Sequence, residues 1–147
     1  MSSEINRSIH RKCCLGQECF DLLFPHQTLA MIQSTWHTFN GVDLGGIMAF
    51  DGKPSYIDSR LDTFEHHGVL AGYLNTTRLN NSLENLDEWH IDHILFTEHT
   101  PFIYLLEHTG GWRVVKHEGQ GQELYVLLER AIPAANLQSQ TGSQPRN

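Results

Sequence analysis

Carboxylate and imidazole side chains are concentrated between Trp89 and His117, a segment that holds five of the ten histidines. A carboxylate beside an imidazole in a partly apolar cleft can exchange protons with a substrate, because burial and neighbouring charges move its pKa in opposing directions. We expect Asp92 and His108 to form such an acid–base pair, with Tyr104 donating a hydrogen bond to a developing oxyanion. The alternative is a structural polar network, and the sequence leaves open whether the protein is an enzyme.

The positions of these groups depend on a predicted ribbon of three antiparallel strands. Gly110-Gly111 separates two apolar runs, which is typical of a two-residue hairpin whose turn positions need positive φ. The turn places His108 opposite Arg113. An upstream loop at residues 98–100, followed by Pro101, places His90 opposite His108. The predicted pairing therefore brings His90, Asp92 and His108 to one end of the ribbon.

Side chains alternate along a strand, so this pairing sorts the ribbon into two faces. One face combines apolar walls with titratable groups at its end, as in a ligand pocket. Besides the acid–base residues, the ligand-binding residues predicted on this face are His90, Phe96, Phe102, Leu106, Arg113, Val115 and His117. The other face carries Trp89 and Trp112, which suit a protein interface.

The segment Gly110–Val115, GGWRVV, resembles the last hairpin of the ketosteroid-isomerase-like superfamily, the cone-shaped, cystatin-like α+β fold. The resemblance implies N-terminal helices that close one face of a curved antiparallel sheet. It implies a pocket, but it assigns no catalytic carboxylate or tyrosine to a position in this chain.

Other segments fit an α+β domain. Helices are predicted at residues 14–24 and 27–39, with Asn40-Gly41 ending the second. Residues 47–57 predict a small edge hairpin turning at Asp51-Gly52. A helix from about Arg60 bends or splits at its glycines, and residues 75–88 form a loop or short helix. Residues 123–132 fit either a strand or a helix, and continuation of the meander favours a fourth strand.

Length and composition predict one domain over residues 12–132, with a mobile start at 1–11 and a disordered polar tail at 133–147. The net charge of −7 argues against nucleic acid as a partner. No apolar run is long enough to cross a membrane and no secretory signal is evident, so we expect a cytoplasmic protein. The odd cysteine count favours reduced, structural thiols.

Two main functions follow as hypotheses. The first is a semi-apolar pocket for a small ligand, with no cofactor and possible acid–base chemistry. The second is a protein–protein module, such as an inhibitory accessory protein of a mobile element or virus, and a homodimer is one form it could take. A third arrangement, in which His90, Asp92 and His108 hold iron as a facial triad, is the less economical interpretation, so we expect no metal.

Overall fold

The structure is a computed structural model that describes residues 23–131 of the chain. Within this range the chain forms an open sheet of four strands: β1 (Thr38–Asn40), β2 (His93–Thr97), β3 (Trp112–Glu118) and β4 (Tyr125–Arg130). The order across the sheet is β1-β2-β4-β3. Strand β1 runs parallel to β2, whereas β4 is antiparallel to both β2 and β3. The predicted α+β class is confirmed, but the sheet is mixed rather than antiparallel throughout.

The helices of the described region are α1 (His26–Met31), α2 (Val42–Phe50), α3 (Leu61–Glu65), α4 (Val69–Thr77), α5 (Ser82–Glu88) and α6 (Pro101–His108), and a short 3₁₀ turn covers Gly121–Glu123. The predicted split of the helix after Arg60 is confirmed, because Gly68 lies between α3 and α4 with a φ of 72°. The short helix predicted within residues 75–88 and the strand within 123–132 are also confirmed.

Helices cover both faces of the two central strands, which explains why β2 and β4 are almost continuously buried. On one face, Leu95 and Leu127 pack with side chains of α1 and α2. On the other, Ile94 and Leu128 pack with side chains of α4, α5 and α6. The sheet is therefore the middle layer of the domain, and β2 and β4 are packed against helices on both faces.

The prediction of a strand between Pro101 and the Gly110-Gly111 turn is wrong, because Pro101–His108 is helix α6. Thr100 caps the helix by accepting a hydrogen bond from the Ile103 amide at 3.3 Å, and Pro101 occupies the first turn. Phe102, Ile103 and Leu106 are buried on one side of it, at helical spacing. The segment Gly110-Gly111 consequently joins a helix to a strand, and the predicted pairing of His108 with Arg113 does not form.

The connection through α6 also changes the neighbours of β3. Strand β4 lies between β2 and β3, with Tyr125 opposite both Thr97 and Glu118. The turn from β3 to β4 requires Gly119, whose φ is 107° and whose position would place a Cβ atom 1.9 Å from the Glu123 carbonyl oxygen. The three-stranded ribbon is therefore replaced by a sheet in which β2 and β3 are not adjacent.

Two further predictions near the N-terminus are wrong. The helix expected over residues 27–39 is limited to α1, and Asn40 belongs to β1 instead of ending a helix. The segment expected to begin an edge hairpin at residue 47 is the end of α2. Helix α2 lies so close to the following chain that a Cβ atom on Gly45 would be 1.9 Å from the Ile57 carbonyl oxygen. The predictions for residues 1–22 and 132–147, including the three cysteines, lie outside the described residues.

Candidate functional site

The predicted acid–base pair is not assembled, because its members lie on elements that the fold separates. Asp92 immediately precedes β2, whereas His108 is the last residue of α6. His108 stacks on Tyr104 with ring centroids 4.0 Å apart, and its Nδ1 lies 2.8 Å from the Tyr104 carbonyl oxygen. Tyr104 itself is 64% exposed. These two residues contact each other on the outer side of α6, and they do not form the predicted acid–base site.

The predicted ligand-binding residues are likewise dispersed. Phe96, Phe102 and Leu106 belong to the packed core, where the two phenylalanine rings meet edge to face. His90 lies between α5 and β2, with a φ of 53°. The other three lie on β3 at the surface: Arg113 pairs with Glu129, His117 pairs with Glu98, and Val115 is exposed. A filled core thus replaces the predicted pocket.

Asp92 instead organises a different cluster. Its Oδ1 accepts a hydrogen bond from the His37 amide at 2.9 Å and lies 2.6 Å from Nδ1 of His93. The ring of Trp36 stacks on His93 with centroids 3.5 Å apart and planes within 2°. The imidazole partner of Asp92 is therefore its neighbour in sequence. Strand alternation would place His93 and Asp92 on opposite faces of the sheet, but that rule does not apply to Asp92, which lies before the strand begins.

A cleft lies along the outer edge of β1, next to this cluster. It has a volume of about 440 Å³. Its walls come from the chain leading into β1, the segment between α2 and α3, the start of α4, and the end of α5: Trp36, His37, Thr38, Pro54, Ser55, Tyr56, Val69, Trp89 and Ile91. We call it the aromatic cleft, because Trp36, Tyr56 and Trp89 converge on it from three separate segments.

Asn40 positions one wall of the aromatic cleft. This side chain is fully buried, and its Oδ1 accepts a hydrogen bond from the Tyr56 amide at 2.7 Å. Its Nδ2 donates to the carbonyl oxygens of Ile57 and Gly41, each at 2.8 Å. The side-chain amide of Asn40 thus forms hydrogen bonds with the backbone of residues 56–57, as the backbone of a neighbouring strand would. The Tyr56 ring held in this way is partly buried, which raises the pKa of its phenol to about 12.

Gly72 makes room for another wall. A Cβ atom at this position in α4 would lie 2.7 Å from the six-membered ring of Trp89. The indole therefore lies directly against the helix backbone. Its other contacts are with Tyr56, at a ring-centroid distance of 4.9 Å, and with Phe39 in the core, at 6.4 Å. Trp89 was predicted as an interface residue, and it is half-buried between the core and the aromatic cleft.

Thr38, one of the residues that line the cleft, has a buried hydroxyl group. It is 4% exposed, and in the part of the chain from 23 to 131 its Oγ1 has no hydrogen-bond partner. A buried hydroxyl left unpaired costs about 1–3 kcal/mol. None of the lining residues is Lys, Arg, Asp or Glu. The aromatic cleft therefore offers three aromatic side chains, a few neutral polar groups and His37.

A second, more polar cleft of about 350 Å³ lies beside the aromatic cleft, and Ile91 lines both. Its one arginine, Arg130, already has partners, because Nε donates to the Ile91 carbonyl oxygen at 2.8 Å and Nη1 pairs with Asp87 at 2.5 Å. The guanidinium also lies 4.6 Å from the centre of the Trp112 ring. Trp112, predicted to be exposed at an interface, is 8% exposed, and this corrects that prediction.

The iron triad considered from the sequence does not form, since His108 lies on α6 away from Asp92. Across residues 23–131, no three His, Cys, Asp or Glu side chains are grouped in a way that would hold a metal ion. Over the same residues, no helix has both the length and the apolar character needed to cross a lipid bilayer.

The fold and site together define a four-stranded mixed α+β domain with an aromatic cleft at one sheet edge. Comparisons with models of protein families, with curated proteins and with solved structures find no match to this chain. The function is consequently argued from the site alone.

Proposed function

We propose that the protein binds a small, partly apolar molecule in the aromatic cleft. The observation that carries this proposal is the convergence of Trp36, Tyr56 and Trp89 on one concave surface. Pockets for small molecules are concave, mostly apolar and lined by a few polar groups that fix orientation. The proposed function is of the class expected from the sequence, but it moves the site from the ribbon to the edge of β1.

The dimensions and lining of the cleft support this proposal. Its 440 Å³ falls within the range of about 300–1,000 Å³ that is usual for ligand pockets. Ser55 and His37 are the polar side chains available to orient a ligand, because the Thr38 hydroxyl is buried. The buried amide of Asn40 and the missing Cβ of Gly72 fix the aromatic walls, so the cleft is largely preformed. A preformed site loses less entropy when a ligand binds.

The proposal is limited to binding. Neither Asp92 nor His93 lines the aromatic cleft, and His93 is stacked on Trp36 and only 8% exposed. A general acid or base must come within hydrogen-bond reach of the substrate. We therefore assign this pair the task of holding Trp36 and His37 in place, and no reaction step.

A fragment screen monitored by NMR tests the proposal. Ligands of the aromatic cleft are expected to shift the indole N–H signals of Trp36 and Trp89 while leaving that of Trp112 unchanged. Val69→Trp fills the cleft and should abolish these shifts, whereas Val114→Trp, at an exposed position on β3, is the matched control. The proposal fails if no fragment shifts either indole, or if the shifts survive in the Val69→Trp variant.

One observation favours a second candidate function, recognition of a protein partner. Phe50, the last residue of α2, is 89% exposed. A large aromatic side chain in this position suits an interface anchor better than a fold contact. On this hypothesis, Phe50→Ser changes the molecular mass of the protein measured by light scattering, or the variant no longer captures a partner that the wild-type protein captures. Unchanged mass and unchanged capture would remove its support.

A further inference from the structure

We infer that Asn40-Gly41 is a deamidation site that the folded domain keeps closed and that unfolding opens irreversibly. The dipeptide lies where β1 meets α2, because Asn40 is the last residue of β1 and Gly41 is the N-cap of α2. Asparagine is a chemically labile residue, and a following glycine offers the least steric hindrance to the approach of its backbone nitrogen. The inference concerns a covalent modification and is independent of any ligand of the aromatic cleft.

The reaction at this dipeptide consumes only water. The backbone nitrogen of Gly41 attacks Cγ of Asn40 and forms a new C–N bond, which closes a cyclic succinimide. The bond from Cγ to the side-chain nitrogen breaks, and this nitrogen leaves as ammonia together with the proton from the Gly41 amide. Water then opens the ring at one of its carbonyl carbons. The product is an aspartate, or an isoaspartate whose backbone runs through the side chain.

The folded structure holds both reacting groups in place. The Gly41 amide donates a hydrogen bond to the Leu95 carbonyl oxygen of β2 at 3.0 Å, so its proton is engaged in the sheet. Asn40 is fully buried, and its side-chain amide is hydrogen-bonded to the backbone of Tyr56 and Ile57. Ring closure would have to break these bonds on both sides of the new C–N bond. Deamidation therefore requires β1 to open first.

Neither product fits the native position of Asn40. An aspartate lacks the Nδ2 donor, so its carboxylate would face the carbonyl oxygens of Gly41 and Ile57, each of which lies 2.8 Å from Nδ2. Burial of an unpaired charge is strongly unfavourable. An isoaspartate adds a methylene carbon to the backbone, which displaces Gly41 from Leu95 and disrupts the parallel pairing of β1 with β2. Deamidation would therefore make an unfolding event permanent.

The fold needs glycine at the second position of the dipeptide. A Cβ atom on Gly41 would lie 2.5 Å from Oδ1 of Asp43. The other oxygen of this carboxylate accepts a hydrogen bond from the Tyr125 hydroxyl at 3.0 Å, which limits how far Asp43 can move away. The labile pair is thus built into the junction of β1 and α2 at both of its residues.

Peptide mapping by mass spectrometry tests the inference on the full chain, incubated at neutral pH in buffer and in increasing urea. Cleavage after Lys12 and Arg60 gives a fragment in which Asn40 is the only asparagine. Folded proteins populate the unfolded state at about 10⁻³ or less, so Asn40 should deamidate at least about 1,000-fold more slowly in buffer than in denaturing urea. Between these limits the rate should rise about tenfold for each 1.4 kcal/mol of stability that urea removes.

Two controls accompany the rate measurements. Asn81 is exposed and is followed by Ser82, so its deamidation rate should differ far less between buffer and urea. Gly41→Ala retains Asn40 and should remove most of the conversion at residue 40 in denaturing urea, where packing against Asp43 plays no part.

Asn40→Asp reproduces the aspartate product and tests whether the modification is permanent. After dilution from urea, this variant and the deamidated wild-type chain should stay unfolded or show a lower urea midpoint than the unmodified chain. Comparable rates for Asn40 in buffer and in urea, or equal protection of Asn40 and Asn81, would show that the fold does not close the site. Refolding of the deamidated chain with the wild-type midpoint would overturn the irreversibility.

Discussion

Glu118 caps helix α1 through Thr28, which precedes it by 90 residues: its Oε2 accepts hydrogen bonds from the Thr28 amide at 2.7 Å and from the Thr28 hydroxyl at 2.6 Å. Its Oε1 accepts from the Gln27 amide at 3.0 Å. Helix α1 has no side-chain cap of its own, since Pro25 occupies the N-cap position. The carboxylate thus satisfies first-turn amides that would otherwise lack partners and fastens the helix to the edge strand β3.

Removing this cap should loosen α1. Glu118→Ala is expected to lower the free energy of unfolding by about 1 kcal/mol, the usual cost of losing an N-cap. Glu123→Ala, at an exposed position in the 3₁₀ turn, is the matched control. Urea denaturation measures both, and hydrogen exchange at the amides of residues 27 and 28 locates the change. Equal stability of the two variants would show that the carboxylate contributes nothing as a cap.

The same carboxylate and Asp58 should make stability depend on pH in acid. Burial raises the pKa of Glu118, but its hydrogen bonds from Thr28 and Gln27 outweigh this and lower the pKa overall. Hydrogen bonds from Arg60 lower the pKa of Asp58. A carboxyl whose pKa is lower in the folded state than in the unfolded state stabilises the protein above its unfolded-state pKa of about 4. This contribution is lost as the pH falls through the folded-state pKa.

Urea midpoints measured from pH 6 down to pH 2 test this expectation. The wild-type protein should lose stability below about pH 4, and Glu118→Gln combined with Asp58→Asn should flatten the decline. The double variant is less stable than wild type at pH 6 but should approach it at the lowest pH. Parallel curves for the two proteins would mean that other carboxyls control the acid transition.

The sequence specified some elements well, because local signals and tertiary packing agreed there. The strand at Tyr125–Arg130 and the break at Gly68 are examples. Helix α6 was assigned wrongly because FIYLL is an apolar run that fits a buried strand or a helix equally. The decisive signal was Thr100-Pro101, an N-cap residue followed by proline in the first turn.

The site was harder to predict than the fold. Trp89, His90 and Asp92 were recognised as a segment of interest, and they do lie along the two clefts. Trp36 and Tyr56 were missed, because only tertiary packing through Asn40 and β1 brings these distant segments to Trp89. His93 was missed because the period of a strand was extended one residue too far. Adjacent histidine and aspartate residues at a strand start were the available signal.

Asn40 should be among the most sensitive positions in the described chain. Asn40→Ala leaves the Tyr56 amide and the Ile57 carbonyl oxygen without their partner, and should lower the free energy of unfolding by about 2–3 kcal/mol. Asn75→Ala, at an exposed position on α4, is the control and should have little effect. Thermal or urea unfolding gives the values.

The Tyr56 ring loses its anchor in the Asn40→Ala variant, so the indole signal of Trp89 should also shift. A loss below 1 kcal/mol with an unchanged Trp89 signal would contradict this role.

Two glycine-to-alanine substitutions in helices should change stability in opposite directions. Gly46→Ala on α2 has no atom within 4 Å of the new methyl group, so the higher helix propensity of alanine should stabilise the protein by up to about 1 kcal/mol.

Gly72→Ala gains the same propensity, but its methyl group would lie 2.7 Å from the Trp89 ring. Because the indole must move away, we expect net destabilisation by about 1–3 kcal/mol and a shifted tryptophan emission spectrum. If Gly72→Ala were as stable as Gly46→Ala with unchanged emission, Trp89 would not be held against α4, and the aromatic cleft would lack one of its walls.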